Sequence, residues 1–274
     1  MARKYQTVLV TGASSGMGKD FAHRLLADGY TVYVAARSID KMADLEAAGA
    51  IALKMDISKD AEIVAAVARI REGHGGVDVL INNAGFAQYG PVEETPVEKA
   101  RYQFEVNLFG LARLTQLLLP AMRDQGKGLI INISSVGGVI HTPLGAWYHA
   151  TKHALEAWSD CLRLEVASFG IEVVIVRPGF IGTAFGEHLS EHYEGDREGP
   201  YREIVAALAR AADDPKTRAR MSPPSVITDV ILRAVRADRP RTRYAAGAMA
   251  KPLIALKRIL PDRLFDRMLT SQMK

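Results

Sequence analysis

Thr7-Val8-Leu9-Val10-Thr11-Gly12-Ala13-Ser14-Ser15-Gly16-Met17-Gly18-Lys19 decides the fold. Residues 7–10 form a short, β-branched, apolar run, as a strand covered on both faces should. Three glycines follow at once, and an amphipathic stretch begins at Lys19. A strand that leaves through a glycine-rich turn into a helix offers backbone N–H groups and a helix N-terminus to an anion. Gly12 permits the turn, Gly16 lets backbone approach a pyrophosphate, and Gly18 allows helix and strand to pack closely. Ser14, Ser15 and Met17 share the turn as candidate phosphate contacts. The same spacing also suits a tight turn that holds no ligand.

Outward from this unit, apolar runs recur at residues 31–34, 50–53, 77–81, 129–133, 172–176 and, more weakly, 243–246. Amphipathic segments at residues 60–71, 97–123 and 151–168 separate them. Such alternation predicts a single α/β domain over residues 1–274, a doubly wound parallel sheet of about seven strands. Beyond Gly179 the pattern loosens, and residues 183–220 read as a substrate loop or lid. Helices are predicted over residues 201–211 and 224–236, the second capped by Ser222. Residues 248–274 read as a basic, amphipathic helical extension broken at Pro261.

The 274 residues are 48% hydrophobic and 24% charged, enough apolar content for a sizeable core and too much for a disordered or fibrous chain. A single cysteine, Cys161, excludes an intrachain disulfide and a cysteine-based zinc site. Its place in a helical pattern predicts a buried small hydrophobe. The longest apolar runs fall far short of the ~20 residues that span a bilayer. Residues 1–6 lead straight into a strand with no signal-peptide core, which points to a cytoplasmic protein. The net charge of +4 hides an asymmetry: −5 over residues 1–200 and +9 over residues 201–274. A basic end suits an anionic partner, a membrane surface or solvated arginines. No nucleic-acid motif accompanies it, so nucleic acid is not expected.

Tyr148 and Lys152 stand four residues apart, on one face of a helix. A free phenol has a pKa near 10, too high for a general base at neutral pH. An ammonium ~4 Å away at an effective dielectric of ~20 supplies about 4 kcal/mol, so Lys152 is expected to draw Tyr148 down by about three pKa units. Ser135 follows the fifth strand, at the end of an open sheet where ligands bind; its alternative role is that of an ordinary turn serine.

With these residues in place the chain resembles the short-chain dehydrogenase/reductase family. The matching stretches are Thr11-Gly12 to Gly18, Asn82-Asn83-Ala84-Gly85, Asn107 within Val106-Asn107-Leu108, Ser135, Tyr148 with Lys152, and Pro178-Gly179-Phe180-Ile181-Gly182-Thr183, in that order over residues 7–185. The resemblance implies a Rossmann-type fold and a catalytic set of Asn107, Ser135, Tyr148 and Lys152. It implies that Asn83, Ala84 and Gly85 close the fourth strand against a nicotinamide cofactor. It further implies that Pro178, Gly179, Ile181 and Thr183 lie on the nicotinamide side, that Lys152 binds the ribose, and that Asn107 holds a proton-relaying water. Arg241-Thr242-Arg243-Tyr244 and residues 260–266 look like bacterial relatives of hydroxysteroid and retinol dehydrogenases.

NAD-users place an acid at the end of the second strand to bind the adenosine ribose. Here Ala36 stands there and Arg37 follows, a guanidinium suited to the 2′-phosphate of NADP. Asp56 and Ile57, after the third strand, are expected at the adenine. His141, Leu144, Trp147, Phe180, Phe185 and Phe86 are candidate substrate contacts, and together they favour an apolar alcohol or ketone over a sugar. His149, His188 and His192 form no metal-ligand set and read as surface or lid residues, and no metal is expected. Leu111, Leu114, Leu118, Leu155 and Trp158 exceed one sheet-facing stripe and suggest a homodimer or homotetramer. A weak membrane-surface contact through the basic extension completes the expected partners. The expected activity is NADP(H)-dependent carbonyl–alcohol interconversion; the alternatives are a 3-oxoacyl thioester reductase and a non-catalytic NADP-binding regulator.

Overall fold

The computed structural model describes residues 3–183, 195–196, 198–215 and 219–271. Seven strands, β1 (Thr7–Thr11), β2 (Thr31–Ala36), β3 (Ile51–Lys54), β4 (Val79–Asn82), β5 (Gly128–Ile133), β6 (Ile171–Pro178) and β7 (Arg243–Ala246), form one sheet. Every neighbouring pair is parallel, in the order β3-β2-β1-β4-β5-β6-β7. β1 and β4 are adjacent although β2 and β3 lie between them in sequence, so the winding reverses there. Loops leaving those two strands open into one crevice, the place where open α/β sheets bind ligands.

Side chains alternate along each strand and fill two layers. Val8, Val10, Val79 and Ile81 face Phe21 and Leu25 of α1 (Gly16–Ala27) and Ile227, Ile231 and Val235 of α8 (Ser225–Arg236). Leu9, Leu80 and Ile130 face α3 (Asp60–His74), α5 (Gly110–Asp124) and α6 (Ala146–Val166). α2 (Ala43–Ala47) packs beside α1, and α7 (Arg202–Asp213) follows β6 in the chain. α4 (Val97–Phe104) does not run straight into α5, because Glu105–Phe109 winds as a π-helix. The long helix expected over residues 97–123 is therefore interrupted, at Asn107 itself.

The extension forms α9 (Ala250–Ile259) and α10 (Asp262–Ser271), parted at Pro261 as expected. Its apolar residues divide, with Ile259 and Leu264 exposed and others packed inward. Leu253, Ile254 and the fully buried Phe265 pack against Val136 and Ile140, beyond the end of β5. The extension thus folds onto the loop that carries Ser135.

Three expectations need correction here. Cys161 is exposed, because Leu155, Ser159, Leu162 and Val166 already occupy the buried stripe of α6. Leu111, Leu114, Leu118 and Leu155 are core, not interface, and Trp158 packs on the same core. α5 needs two apolar stripes because it touches both the sheet and α3; the exposed apolar groups near these helices are Phe109, Leu164 and Phe169. Ser222 caps nothing: its N–H donates to the Phe180 carbonyl and its own carbonyl accepts Gly182 N–H, while Pro224 precedes α8. Among the described residues no helix is long and apolar enough to cross a membrane.

Candidate active site

The β1–α1 turn is held open by backbone geometry. Gly12 and Gly16 adopt φ of +67° and +55°, where a side chain is strained. A Cβ on Gly18 would lie 2.4 Å from the Gly12 carbonyl oxygen and 2.5 Å from Asn83 Nδ2. That amide donates to the Thr11 carbonyl at 2.9 Å, and Thr11 Oγ1 accepts the N–H groups of Asn83 and Ala84, each at 3.0 Å. The two loops at the reversal of the sheet are thereby fastened together. Ser15 precedes α1 without a side-chain cap, and no acidic residue occupies the first turn. A bare helix N-terminus behind left-handed glycines suits a pyrophosphate. Among the described residues, a Cβ on Gly16 would meet Thr183 alone, at 3.5 Å, so the β6 loop faces this turn.

Arg37 is exposed at the end of β2, and its guanidinium reaches Tyr102 Oη at 3.5 Å. Burial raises the Asp56 carboxyl, but the N–H and hydroxyl of Ser58, with Arg37 and Lys59, outweigh it and hold the group below its ordinary range. Ile57 is buried beside it. Its carbonyl oxygen would touch a Cβ on Gly110 at 2.0 Å, so α5 starts directly against the β3 loop. Nothing in the local pattern marked Gly110.

Ser135, Tyr148, Lys152 and Asn107 gather beyond β4 and β5. Ser135 Oγ accepts Gly137 N–H at 3.0 Å and bonds the Tyr148 phenol. Lys152 Nζ donates to the Ile133 carbonyl at 2.9 Å. A Cβ on Gly85 would lie 3.0 Å from Asn107 Oδ1 and 3.8 Å from Lys152 Nζ. The Asn107 amide is engaged within the chain: Oδ1 accepts Phe86 N–H, and Nδ2 donates to the Phe86 carbonyl and Thr151 Oγ1. It braces the β4 loop against α6.

The electrostatics reverse one expectation. Burial pushes the Tyr148 phenol up to about 12, against the pull of Ser135's hydrogen bond. Burial pushes the Lys152 ammonium down to about 8, against the pull of Glu156. In the chain by itself Lys152 does not draw Tyr148 down, because its ammonium is turned to Ile133. Desolvation wins over the charge pair.

The candidate substrate residues divide. Leu144, at φ +65°, accepts Gly90 N–H on its carbonyl at 2.8 Å and ties the β4 loop to the start of α6. Trp147 is half-buried, its indole N–H without a partner among the described residues. Phe180 is exposed, its backbone paired with Ala248. Phe86 packs on Tyr102. His141 turns away to the extension, where its imidazole meets Asp266 at 2.9 Å and the Phe265 ring at 5.5 Å. Phe185, His188 and His192 lie outside the described residues. His149 is no surface residue: it is buried, with both ring nitrogens hydrogen-bonded. Tyr89, which no sequence signal singled out, sets its ring 5.9 Å from that of Tyr148.

A profile of the short chain dehydrogenase family matches residues 6–194. The chain is 32% identical to an NADPH-dependent 3-dehydrocapnine reductase of Ornithobacterium rhinotracheale over 97% of its length and 96% of that protein's. It is 33% identical to a 3-ketodihydrosphingosine reductase of Bacteroides thetaiotaomicron, over 95% of each chain. A solved short-chain dehydrogenase of Streptomyces avermitilis superposes with a TM-score of 0.81 at 33% identity, over 99% of this chain and 98% of that one. The chain belongs to the short-chain dehydrogenase family and is an oxidoreductase with a Rossmann-type fold.

Proposed function

We propose that this short-chain dehydrogenase interconverts a carbonyl and a secondary alcohol on an apolar substrate, with NADP(H) as its cofactor. The observation that carries the reading is the gathering of Ser135, Tyr148, Lys152 and Asn107 beside the loop that the glycine turn grips. Gly12, Ser15, Gly16, Met17 and Gly18 would hold the pyrophosphate, Arg37 with Ser14 the 2′-phosphate, and Asp56 with Ile57 the adenine. Asn83, Ala84, Gly85, Pro178, Gly179, Ile181 and Thr183 would border the nicotinamide. The fit rests on the uncapped N-terminus of α1 and the left-handed glycines before it. The NADPH-dependence named for the Ornithobacterium relative supports the choice of phosphate form.

When bound, the cofactor supplies or takes the hydride. Tyr148, kept protonated at neutral pH by burial, donates its proton to the substrate oxygen. Ser135, whose oxygen already accepts Gly137 N–H, turns its own proton to the charge developing there. Lys152, cationic below pH about 8, stabilises the tyrosinate left behind. Oxidation runs these steps in reverse. Leu144, Trp147, Phe180 and Tyr89 give the substrate an aromatic, apolar surround. Phe109 and Leu164, exposed on the outer helices, support assembly as a homodimer or homotetramer. Ile259 and Leu264, exposed among Arg258, Arg263 and Arg267, support weak contact with an anionic membrane surface.

NADPH consumption across steroid, retinoid and long-chain aliphatic ketones and 3-oxoacyl thioesters tests the reading. Turnover of the apolar ketones is expected. Turnover of thioesters alone would put the thioester reductase in its place, and NADPH binding without any turnover would leave the regulator.

A further inference from the structure

His149 stands next to Tyr148 in sequence and meets its ring edge-on, centroids 5.7 Å apart, yet both imidazole nitrogens are engaged in a pocket made for the ring. A Cβ on Gly137 would lie 2.9 Å from His149 Nδ1, and one on Gly145 would lie 2.7 Å from Cδ2. Two glycines therefore leave room for the ring. His149 Nε2 faces the Thr142 backbone N–H at 3.1 Å and Thr142 Oγ1 at 2.9 Å. A backbone N–H can only donate, so Nε2 is the bare nitrogen and the ring proton belongs to Nδ1. Nδ1–H then donates to the Gly137 carbonyl at 2.8 Å. Gly137 is held at both backbone groups, since its N–H donates to Ser135 Oγ at 3.0 Å.

Resting on the oxidoreductase reading above, we propose that His149 is a positioning residue. As its Nδ1–H tautomer it fixes the Gly137-Gly138 turn, and through Gly137 it aims the Ser135 hydroxyl at Tyr148. Two successive glycines have no side chains to hold their own conformation. The imidazole supplies that restraint from across the turn. Thr142 also bonds Tyr89, so the same ring steadies the aromatic neighbour of Tyr148.

Protonation would place a second N–H against that of Thr142 and undo the clamp. The ionisable groups around the ring are His153, which donates to the His149 carbonyl, His141, paired with Asp266, and the phenols of Tyr148 and Tyr89. Burial disfavours the imidazolium; the Gly137 bond opposes this, and His153 and His141 add to it, leaving the group below its ordinary value. A depressed folded value means that the clamp is complete above the free-histidine pKa of about 6.5 and is lost as pH falls through the folded one.

Isotope-resolved imidazole NMR and steady-state reduction of decan-2-one with NADPH form the test. The Nδ1–H tautomer is expected at neutral pH, with an acid limb in kcat that follows the His149 titration. H149F and H149Q should lower kcat about tenfold, ~1.4 kcal/mol in barrier, with NADPH affinity unchanged. H149N, whose amide can still donate to Gly137, should keep most of kcat and lose the acid limb. An Nε2–H tautomer, or an acid limb that persists in folded H149N, would overturn the proposal. If decan-2-one is not reduced, the substrate reading fails by itself. The tautomer, and a Tyr148 resonance that differs between H149Q and H149N, then decide the positioning role; identical resonances in the two folded variants would overturn it.

Discussion

Two glycine-rich turns leave the same end of the sheet, after β1 and after β5 with β4 between them, and their glycines are there for opposite reasons. In the turn after β1, Gly12 and Gly16 take left-handed φ, and Gly18 admits the backbone of the turn itself. Side chains are absent so that peptide groups stay bare. In the turn after β5, Gly137 and Gly138 make way for side chains: His149 and Tyr148 at the first, Ser134 Oγ and Glu156 at the second. On the proposed function the first turn would meet an anion and the second would seat the proton-transferring residues, so that similar composition would serve binding on one side of the crevice and chemistry on the other.

Substitutions should separate these two roles. Tyr148→Phe, on the chemistry side, is expected to lower reduction by ~10²–10⁴-fold while NADPH still binds, as general acid help is removed and ring packing stays. Loss of NADPH binding in fluorescence titration would merge the two sides and break the comparison. Gly18→Ala, on the binding side, drives a methyl onto the Gly12 carbonyl oxygen. A cost of about 3 kcal/mol is expected, read as a lower melting temperature and weakened NADPH binding. Arg37→Ala should leave stability alone and remove a preference for NADPH over NADH of roughly ten- to 150-fold, the worth of a charge-assisted hydrogen bond. Equal binding of both cofactors by the unmodified protein would remove that role from Arg37. The effect of pH is small near neutrality and grows only above it. Lys152 is cationic below about 8, so kcat for reduction should fall by about tenfold per unit above that value. A flat profile to pH about 10 would show Lys152 to be charged at its ordinary value.

The turn after β1 was legible because its information is local: strand, glycines and helix are consecutive in the chain. So were the seven strands and the joint at Pro261, which follow from apolar periodicity and a missing N–H. The turn after β5 was only half legible. Ser135, Tyr148 and Lys152 lie within eighteen positions, but what surrounds them comes from afar. His141 meets Asp266 across 125 positions, which no local pattern contains. Adjacency to Tyr148 left the direction of the His149 ring open, and the vacant Cβ positions of Gly137 and Gly145 settle it. The Tyr148 phenol was misjudged for a related reason. Helical spacing announces the ammonium one turn away, whereas burial depends on every element that covers the pair.

The packing of Phe265 on Val136 and Ile140 also bears on the order of assembly. During synthesis β1 through β6 emerge before residues 250–271, and their parallel pairings need nothing from the extension. The sheet can therefore form on the ribosome while the segment beyond β5 still lacks its apolar cover. Closing a loop of this length adds little entropic cost for each further residue, but it must wait for the chain to arrive. The strand pairings that frame the crevice are independent of the extension, whereas the apolar cover beside the serine is supplied by it.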